Sequence, residues 1–176
     1  MSTAGIGQPA PPSGATDSRP LLFVCSGGGH LTQLLALRSW WEDRPRAWVS
    51  FGTEQVRSSL AGERLIPCYH PTTRHLGNLL RNTVLAWRTV RTERPAAIVS
   101  TGAAVAVPFM LLGRLLRVPT VYLEVYDRVD STTMSGRICH RIVDLFLVQW
   151  PEQQALYPGS TLVGPLYDAD GGQAPL

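Results

Sequence analysis

The sequence predicts an α/β fold: a Rossmann-like parallel sheet with helices on both faces, spanning residues 21–167. Three observations carry that expectation. Short apolar runs alternate with segments of helical spacing, the pattern of βαβ units. The runs are apolar throughout, as strands covered on both faces are. Several of them end in glycines or charged residues, at the strand ends where such sheets bind ligands.

The elements follow in order. Leu21–Cys25 is a strand stopped by Ser26-Gly27-Gly28-Gly29, and His30–Trp41 has helical spacing through Leu31, Leu34, Leu35 and Leu37. Ala47–Phe51 reads as the second strand, Thr53–Ala61 as a short helix, Arg64–Tyr69 as the third strand and Leu76–Arg94 as a long helix. Ala96–Ser100, Ala103–Leu116 and Thr120–Glu124 continue as strand, helix, strand. Met134–Arg141 reads as a helix, Asp144–Gln149 as the sixth strand, Pro151–Tyr157 as a helix with proline at its start, and Thr161–Val163 as a last strand. Residues 1–20, with four prolines and three glycines, read as a disordered lead-in without a signal peptide, and 168–176 as a tail.

Composition narrows the function classes. The 176 residues support one domain, and a chain of this size buries roughly 70% of its unfolded surface without a metal or disulfide staple. Hydrophobic residues make up 44% and charged residues 16%, against a usual charged share of about 25%, which points to extensive burial or contact with a partner or membrane. All 16 basic residues are arginine. Without lysine there is no Walker-type phosphate loop and no Schiff-base chemistry. Residues 21–167 hold 15 arginines and 10 acids, an excess of +5. That excess is modest and no nucleic-acid motif accompanies it, so nucleic acid is not an expected partner. Cys25, Cys68 and Cys139 are scattered, which argues against disulfides and a zinc site and suits a reducing cytosol. Residues 95–113 carry no charge, but Pro95, Gly102, Pro108 and Gly113 break the run into a buried strand, turn and helix, with a helix lying on a membrane surface as the other reading.

The chemistry-bearing residues fall at strand ends. Ser26, Gly27, Gly28 and Gly29 precede a helix N-terminus, where free N–H groups suit a phosphate, with His30 and Thr32 at its mouth. Thr32 stands where a dinucleotide fingerprint has its third glycine, and no acid ends the second strand, which sets NAD aside. Thr101 and Gly102, in Ser100-Thr101-Gly102-Ala103-Ala104, form either a capped helix start or a second lip of the same cleft. The fifth strand ends in Glu124, followed by Asp127 and Arg128. Glu124 could act as a general base or orient a sugar hydroxyl or His30, and Arg128 could hold a phosphate. A structural Glu–Arg pair closing the loop is the competing reading. On the long helix, Leu76, Leu79, Leu80, Thr83, Val84, Trp87 and Val90 share one face, with Arg74, Arg81 and Arg88 on the opposite side. The arginine stripe reads equally as a solvated face or as a surface for anionic phospholipid or polyprenyl pyrophosphate. His70 and His75 flank a loop on the ligand-binding edge without a third metal ligand, and His140 reads as packing. No metal site is expected.

Together, FVCSGGGH, STGAA, LEVYDRVDSTTMSGR and DLFLVQWPE with a following YPG resemble the PssD family of bacterial polysaccharide-biosynthesis glycosyltransferase subunits. They resemble equally the membrane-anchor subunit of the split eukaryotic transferase that adds the second N-acetylglucosamine to dolichol pyrophosphate. More distantly the order is similar to the first half of MurG, although Leu123 stands where MurG has a histidine. The resemblance implies the N-terminal, acceptor-side half of a GT-B glycosyltransferase. The 26 residues after Trp150 are too few for a second sheet domain, which agrees. It further implies a donor-binding partner subunit, a UDP-sugar donor held mainly by that partner, and a polyprenyl-linked acceptor. His30 and Glu124 are then the candidate bases, and the glycines, Thr32, Asp127 and Arg128 face substrate. Peripheral attachment at the cytoplasmic face of the membrane follows, with no other cofactor. Two other readings stay open: a non-catalytic anchor that recruits the donor subunit, and a stand-alone nucleotide-binding domain.

Overall fold

The computed structural model describes residues 17–72 and 75–167. Most of the expected lead-in, the tail from 168 and Arg74 lie outside the described residues. The chain forms a seven-stranded sheet in the order β3-β2-β1-β4-β5-β6-β7. The strands are β1 (Leu21–Val24), β2 (Arg46–Phe51), β3 (Leu65–Cys68), β4 (Ala97–Ser100), β5 (Thr120–Leu123), β6 (Leu145–Val148) and β7 (Thr161–Leu162). Every neighbouring pair is parallel. The helices between them are α1 (Gly29–Ala36), α2 (Arg38–Trp41), α3 (Glu54–Ser59), α4 (Leu76–Glu93), α5 (Ala106–Leu115), α6 (Met134–Cys139) and α7 (Pro151–Leu156).

The strand period divides the core in two. Leu22 and Val24 face one side, where they meet Val49, Ile98 and Tyr122 beneath Ala86 of α4 and Phe109 of α5. Leu21 and Phe23 face the other side and pack with Trp41, Trp48, Leu31 and Val56. There Phe23 stacks on Trp48 at 4.5 Å, and the Trp41 indole N–H donates to the Leu34 carbonyl at 2.8 Å, so the one polar atom of that ring is satisfied inside the core. The Pro20 carbonyl accepts from the Ala96 N–H at 2.9 Å, so ordered pairing begins just before β1. The single helix expected over His30–Trp41 is two, divided at Leu37, whose N–H bonds back to Leu34 at 3.2 Å.

α4 departs from expectation. Its buried positions are Asn78, Asn82, Ala86, Thr89 and Val90. The Asn82 side chain bonds both backbone groups of Tyr69 at 2.9 Å, and Asn78 donates to the Pro71 carbonyl at 3.0 Å. This polar face anchors the loop after β3 and therefore turns inward. The leucine face turns out: Leu76 is 81% exposed and Leu80 67%. The arginines border that stripe rather than oppose it, with the Arg91 guanidinium 4.1 Å above the Trp87 ring. No helix among the described residues is long and apolar enough to cross a membrane.

Candidate functional site

The strand order reverses direction between β1 and β4, and a crevice opens there at the strands' carboxyl ends. Gly28 adopts φ 68°, ψ −140°, a glycine conformation, and starts α1 with no side-chain cap. Among the described residues no side chain caps the first N–H groups of α1, and Gly29 and His30 line the crevice. His30, one residue into the helix, reaches across to β4. Its Nδ1 lies 2.8 Å from the Thr101 carbonyl, and the Thr101 hydroxyl donates to the His30 carbonyl at 2.7 Å. A carbonyl only accepts, so Nδ1 carries the proton and Nε2 keeps the lone pair. Burial pushes the His30 pKa down, outweighing the opposing pull of the Thr101 carbonyl and of Asp127. The imidazole is thus neutral near pH 7 and positioned as a proton acceptor. Gly102, at φ 115°, makes room for it: a Cβ there would lie 3.1 Å from His30 Cε1 and 2.7 Å from the Tyr122 hydroxyl.

A cleft of about 530 Å³ lies in front of these groups. Gly29, His30, Thr32 and Gln33 of α1 line one side. Tyr126, Asp127 and Arg128, with Thr133, Ser135 and Tyr167, line the other. The charged groups of Asp127 and Arg128 make no ion pair among the described residues, and both side chains are exposed. Both line the cleft. Four other expected contacts point elsewhere. The Ser26 hydroxyl turns to the Gly27 carbonyl at 3.3 Å, and Gly27 packs beside Val56. Thr101 is fully buried and occupied by His30, and Gly102 serves the packing of that ring.

Glu124 requires a correction. It is fully buried and does not line the cleft. Oε2 accepts from the Tyr157 hydroxyl at 2.5 Å, and Oε1 accepts from the Val125 N–H at 3.1 Å. The Thr133 hydroxyl lies 3.3 and 3.4 Å from the two oxygens. Among the described residues no arginine pairs with it, and its carboxyl group meets Tyr157, Val125 and Thr133 rather than the cleft, so neither the Glu–Arg reading nor the catalytic-base reading matches the geometry. Burial raises its pKa above the usual carboxylate value, with the Tyr157 hydrogen bond acting against that rise. Thr133 also caps α6, its hydroxyl accepting from the Gly136 N–H at 2.8 Å. Any Cβ at Gly136 would run into Glu124, Tyr157 and Thr133 together. Glu124 is therefore a clasp joining β5, α6 and the segment after α7.

The other candidates are quickly placed. His75 caps α4, its Nδ1 accepting from the Asn78 N–H at 3.0 Å, while His70 is exposed beside Phe51. His140 packs edge-on against Phe146 and bonds the Pro158 carbonyl at 3.0 Å. Burial pushes all three cysteine thiols up to about 12, which leaves them poor nucleophiles. Among the described residues no three His, Cys, Asp or Glu side chains gather as a metal would need.

The sequence profile described as "Oligosaccharide biosynthesis protein Alg14 like" matches residues 71–166, more than half of the chain. The chain belongs to the Alg14-like family. It is 26% identical over 179 aligned positions to the human UDP-N-acetylglucosamine transferase subunit ALG14, covering 84% of this chain and 83% of that protein. It is 35% identical over 120 positions to a Methylorubrum extorquens UDP-N-acetylglucosamine--N-acetylmuramyl-(pentapeptide) pyrophosphoryl-undecaprenol N-acetylglucosamine transferase, covering 60% of this chain and 32% of that protein. Its fold is similar to Acinetobacter baumannii MurG, with a TM-score of 0.65 at 17% identity, over 82% of this chain and 44% of MurG. The chain thus spans less than half of that solved structure. The motif resemblance and the Rossmann-like GT-B half-fold agree with these relatives, and the chain is a glycosyltransferase subunit of the Alg14 type.

Sequence reasoning missed Gln33, Tyr126, Thr133, Ser135 and Tyr167 as cleft residues. A signal for Gln33 was present: it sits three residues after His30 on a helix, hence on the same face. Tyr126, Thr133 and Ser135 lie inside the LEVYDRVDSTTMSGR motif, beside its charged residues.

The Glu124 clasp has a pH signature. Its native pKa is raised, so its contribution is complete below the unfolded value near 4.5 and is lost as pH rises through the native value. Glu124→Gln removes that titration. Its denaturation midpoint should therefore gain on wild type as pH rises from about 4 to about 7, read by urea unfolding at each pH. A constant difference between the two proteins would contradict a Glu124 carboxyl whose pKa burial raises.

Proposed function

We propose that this chain is the acceptor-binding, membrane-associating subunit of a two-component UDP-sugar glycosyltransferase, acting on a polyprenyl-pyrophosphate-linked glycan in polysaccharide biosynthesis. The observation that carries the reading is His30, which lines an open cleft beside an uncapped helix N-terminus, its Nδ1 engaged by the Thr101 carbonyl so that Nε2 keeps the lone pair. The acceptor diphosphate lies at the N–H groups of Gly29 and His30, with Arg128 as its side-chain partner. Nε2 takes the proton of the acceptor hydroxyl as its oxygen bonds to the anomeric carbon of the donor. The bond from that carbon to UDP breaks, and UDP leaves with the electron pair. A UDP-N-acetylglucosamine or UDP-hexose donor sits on a separate subunit that closes the cleft. The human relative's name, which describes a transferase subunit, supports a divided enzyme.

The outward stripe supports attachment to the cytoplasmic face of a membrane. Leu76, Leu80, Val84 and Trp87 of α4 are exposed, as are Leu111 and Leu115 of α5. Arg81, Arg88 and Arg91 are exposed along the same helix. Apolar side chains entering the acyl boundary, with arginines at the headgroups, give peripheral binding that anionic lipid strengthens. The same stripe favours a second reading, an anchor that only recruits the donor subunit.

Two measurements test these readings. In the reconstituted pair, His30→Ala should lower kcat by about 10²- to 10⁴-fold with the melting temperature little changed. Unchanged turnover would remove His30 from the chemistry and leave the anchor reading. Separately, Arg81→Glu with Arg88→Glu should abolish flotation on vesicles containing anionic phospholipid, and undiminished flotation would exclude this face from the membrane contact.

A further inference from the structure

The cleft wall opposite His30 carries two tyrosine rings set at a right angle. Tyr126 and Tyr167 have centroids 5.7 Å apart and an interplanar angle of 86°. Both side chains are partly exposed and line the cleft. Neither hydroxyl has a hydrogen-bond partner among the described residues. Thr32, Asp127, Arg128, Thr133 and Ser135 surround them with hydroxyls and one charge of each sign.

A network of three glutamines, each nearly or fully buried, fixes this wall. Gln33 Oε1 accepts from the Tyr126 N–H at 3.1 Å and from Gln149 Nε2 at 2.8 Å. Gln149 Nε2 also donates to the Glu124 carbonyl at 2.9 Å, and its Oε1 accepts from the Leu166 N–H at 3.1 Å, next to Tyr167. One amide thus ties down both the loop carrying Tyr126 and the segment after β7 carrying Tyr167. Gln153 Nε2 holds the Val125 and Arg128 carbonyls at 2.7 and 3.2 Å. The Trp150 indole N–H donates to the Tyr126 carbonyl at 2.9 Å. Buried amides at 0–5% exposure with this many partners are a costly way to hold a loop. What they hold rigid is the pair of rings, so the rigidity belongs to whatever meets those rings.

We propose that Tyr126 and Tyr167 form the ring-contacting wall of a saccharide subsite, presented by the Gln33–Gln149–Gln153 network. The inference rests on the glycosyltransferase reading of the cleft and names what occupies its far end. A pyranose has a face of C–H bonds, whose partial positive charge suits the negative face of an aromatic ring. Its hydroxyls lie around the rim, where Asp127, Thr32 and Ser135 can accept and donate. A flat nucleobase fits less well. It would stack on one ring only, because the second stands edge-on to it, and Asp127 would oppose its carbonyl oxygens. The ring wall and the α1 N-terminus lie on opposite sides of one cleft, a placement suited to a sugar attached to a phosphate.

Saturation-transfer NMR on the full chain tests this with N-acetylglucosamine 1-phosphate, inorganic pyrophosphate and UMP as probes. Wild type should transfer saturation to the sugar C–H protons. Tyr126→Leu and Tyr167→Leu should each weaken sugar-phosphate binding by about tenfold, whereas Tyr126→Phe keeps it within about threefold. Pyrophosphate affinity, read by phosphorus line broadening, should be unchanged in all three variants. Both tyrosines are partly exposed, so two independent leucine variants guard against misfolding, checked by circular dichroism. Equal sugar binding in wild type and both leucine variants would overturn the proposal. So would loss of UMP rather than sugar binding, or no transfer to the sugar in wild type at about 10 mM. Retained pyrophosphate binding in those cases would leave the phosphate end of the cleft standing, so the two ideas fail separately.

Discussion

The reciprocal pair of hydrogen bonds between His30 and Thr101 is the constraint on which the site depends. It crosses from the first turn of α1 to the end of β4, the two elements that flank the reversal in strand order. One bond fixes the backbone of α1 against β4, and the other fixes the tautomer of the ring. Because Thr101 offers a carbonyl and not a carboxylate, the ring is oriented without gaining a charged partner that would hold its proton. Burial then keeps it neutral. Gly102 is the geometric condition for this, since a Cβ there would clash with the Tyr122 hydroxyl and press on the imidazole.

The opposite wall is built by different means. Here the chain spends buried polar groups: Glu124 clasps Tyr157 and Thr133, and three glutamines bind the backbone of the loop after β5. A loop cannot bury its own peptide groups without partners, and these side chains supply them. The result is a loop whose inner surface is satisfied and whose outer surface leaves Asp127, Arg128 and Tyr126 facing the cleft. Burying a carboxylate with no cation costs stability. That cost is concentrated at the segment that must stay in register with His30, so the clasp and the glutamine network are best understood as geometry for the cleft.

Much of the fold was legible because its signals are local. Apolar runs such as Leu21–Val24 and Ala97–Ser100 are ended by glycines or hydroxyl residues, and the alternation with helices leaves few other architectures. The position of His30 followed from the glycine turn before it. What was not legible depends on three dimensions. Glu124 looked like a strand-end base, yet Tyr157 and Thr133, distant in sequence, close over it. The leucines of α4 share one face in the sequence, and only the fold shows that it turns outward, because Asn78 and Asn82 claim the inner side by bonding the loop at Tyr69 and Pro71. Gln149 read as the end of a strand, and only the fold shows that its amide reaches back to α1.

The central claim is that the fold presents His30 as a neutral imidazole protonated at Nδ1. Long-range proton–nitrogen NMR of the full chain, with the His30 signals assigned by their loss in His30→Gln, reads this directly. The account predicts the Nδ1–H form near pH 7, with protonation of Nε2 only at a pH below the ordinary imidazole value. A ring that is cationic at neutral pH, or that carries its proton on Nε2, would contradict it.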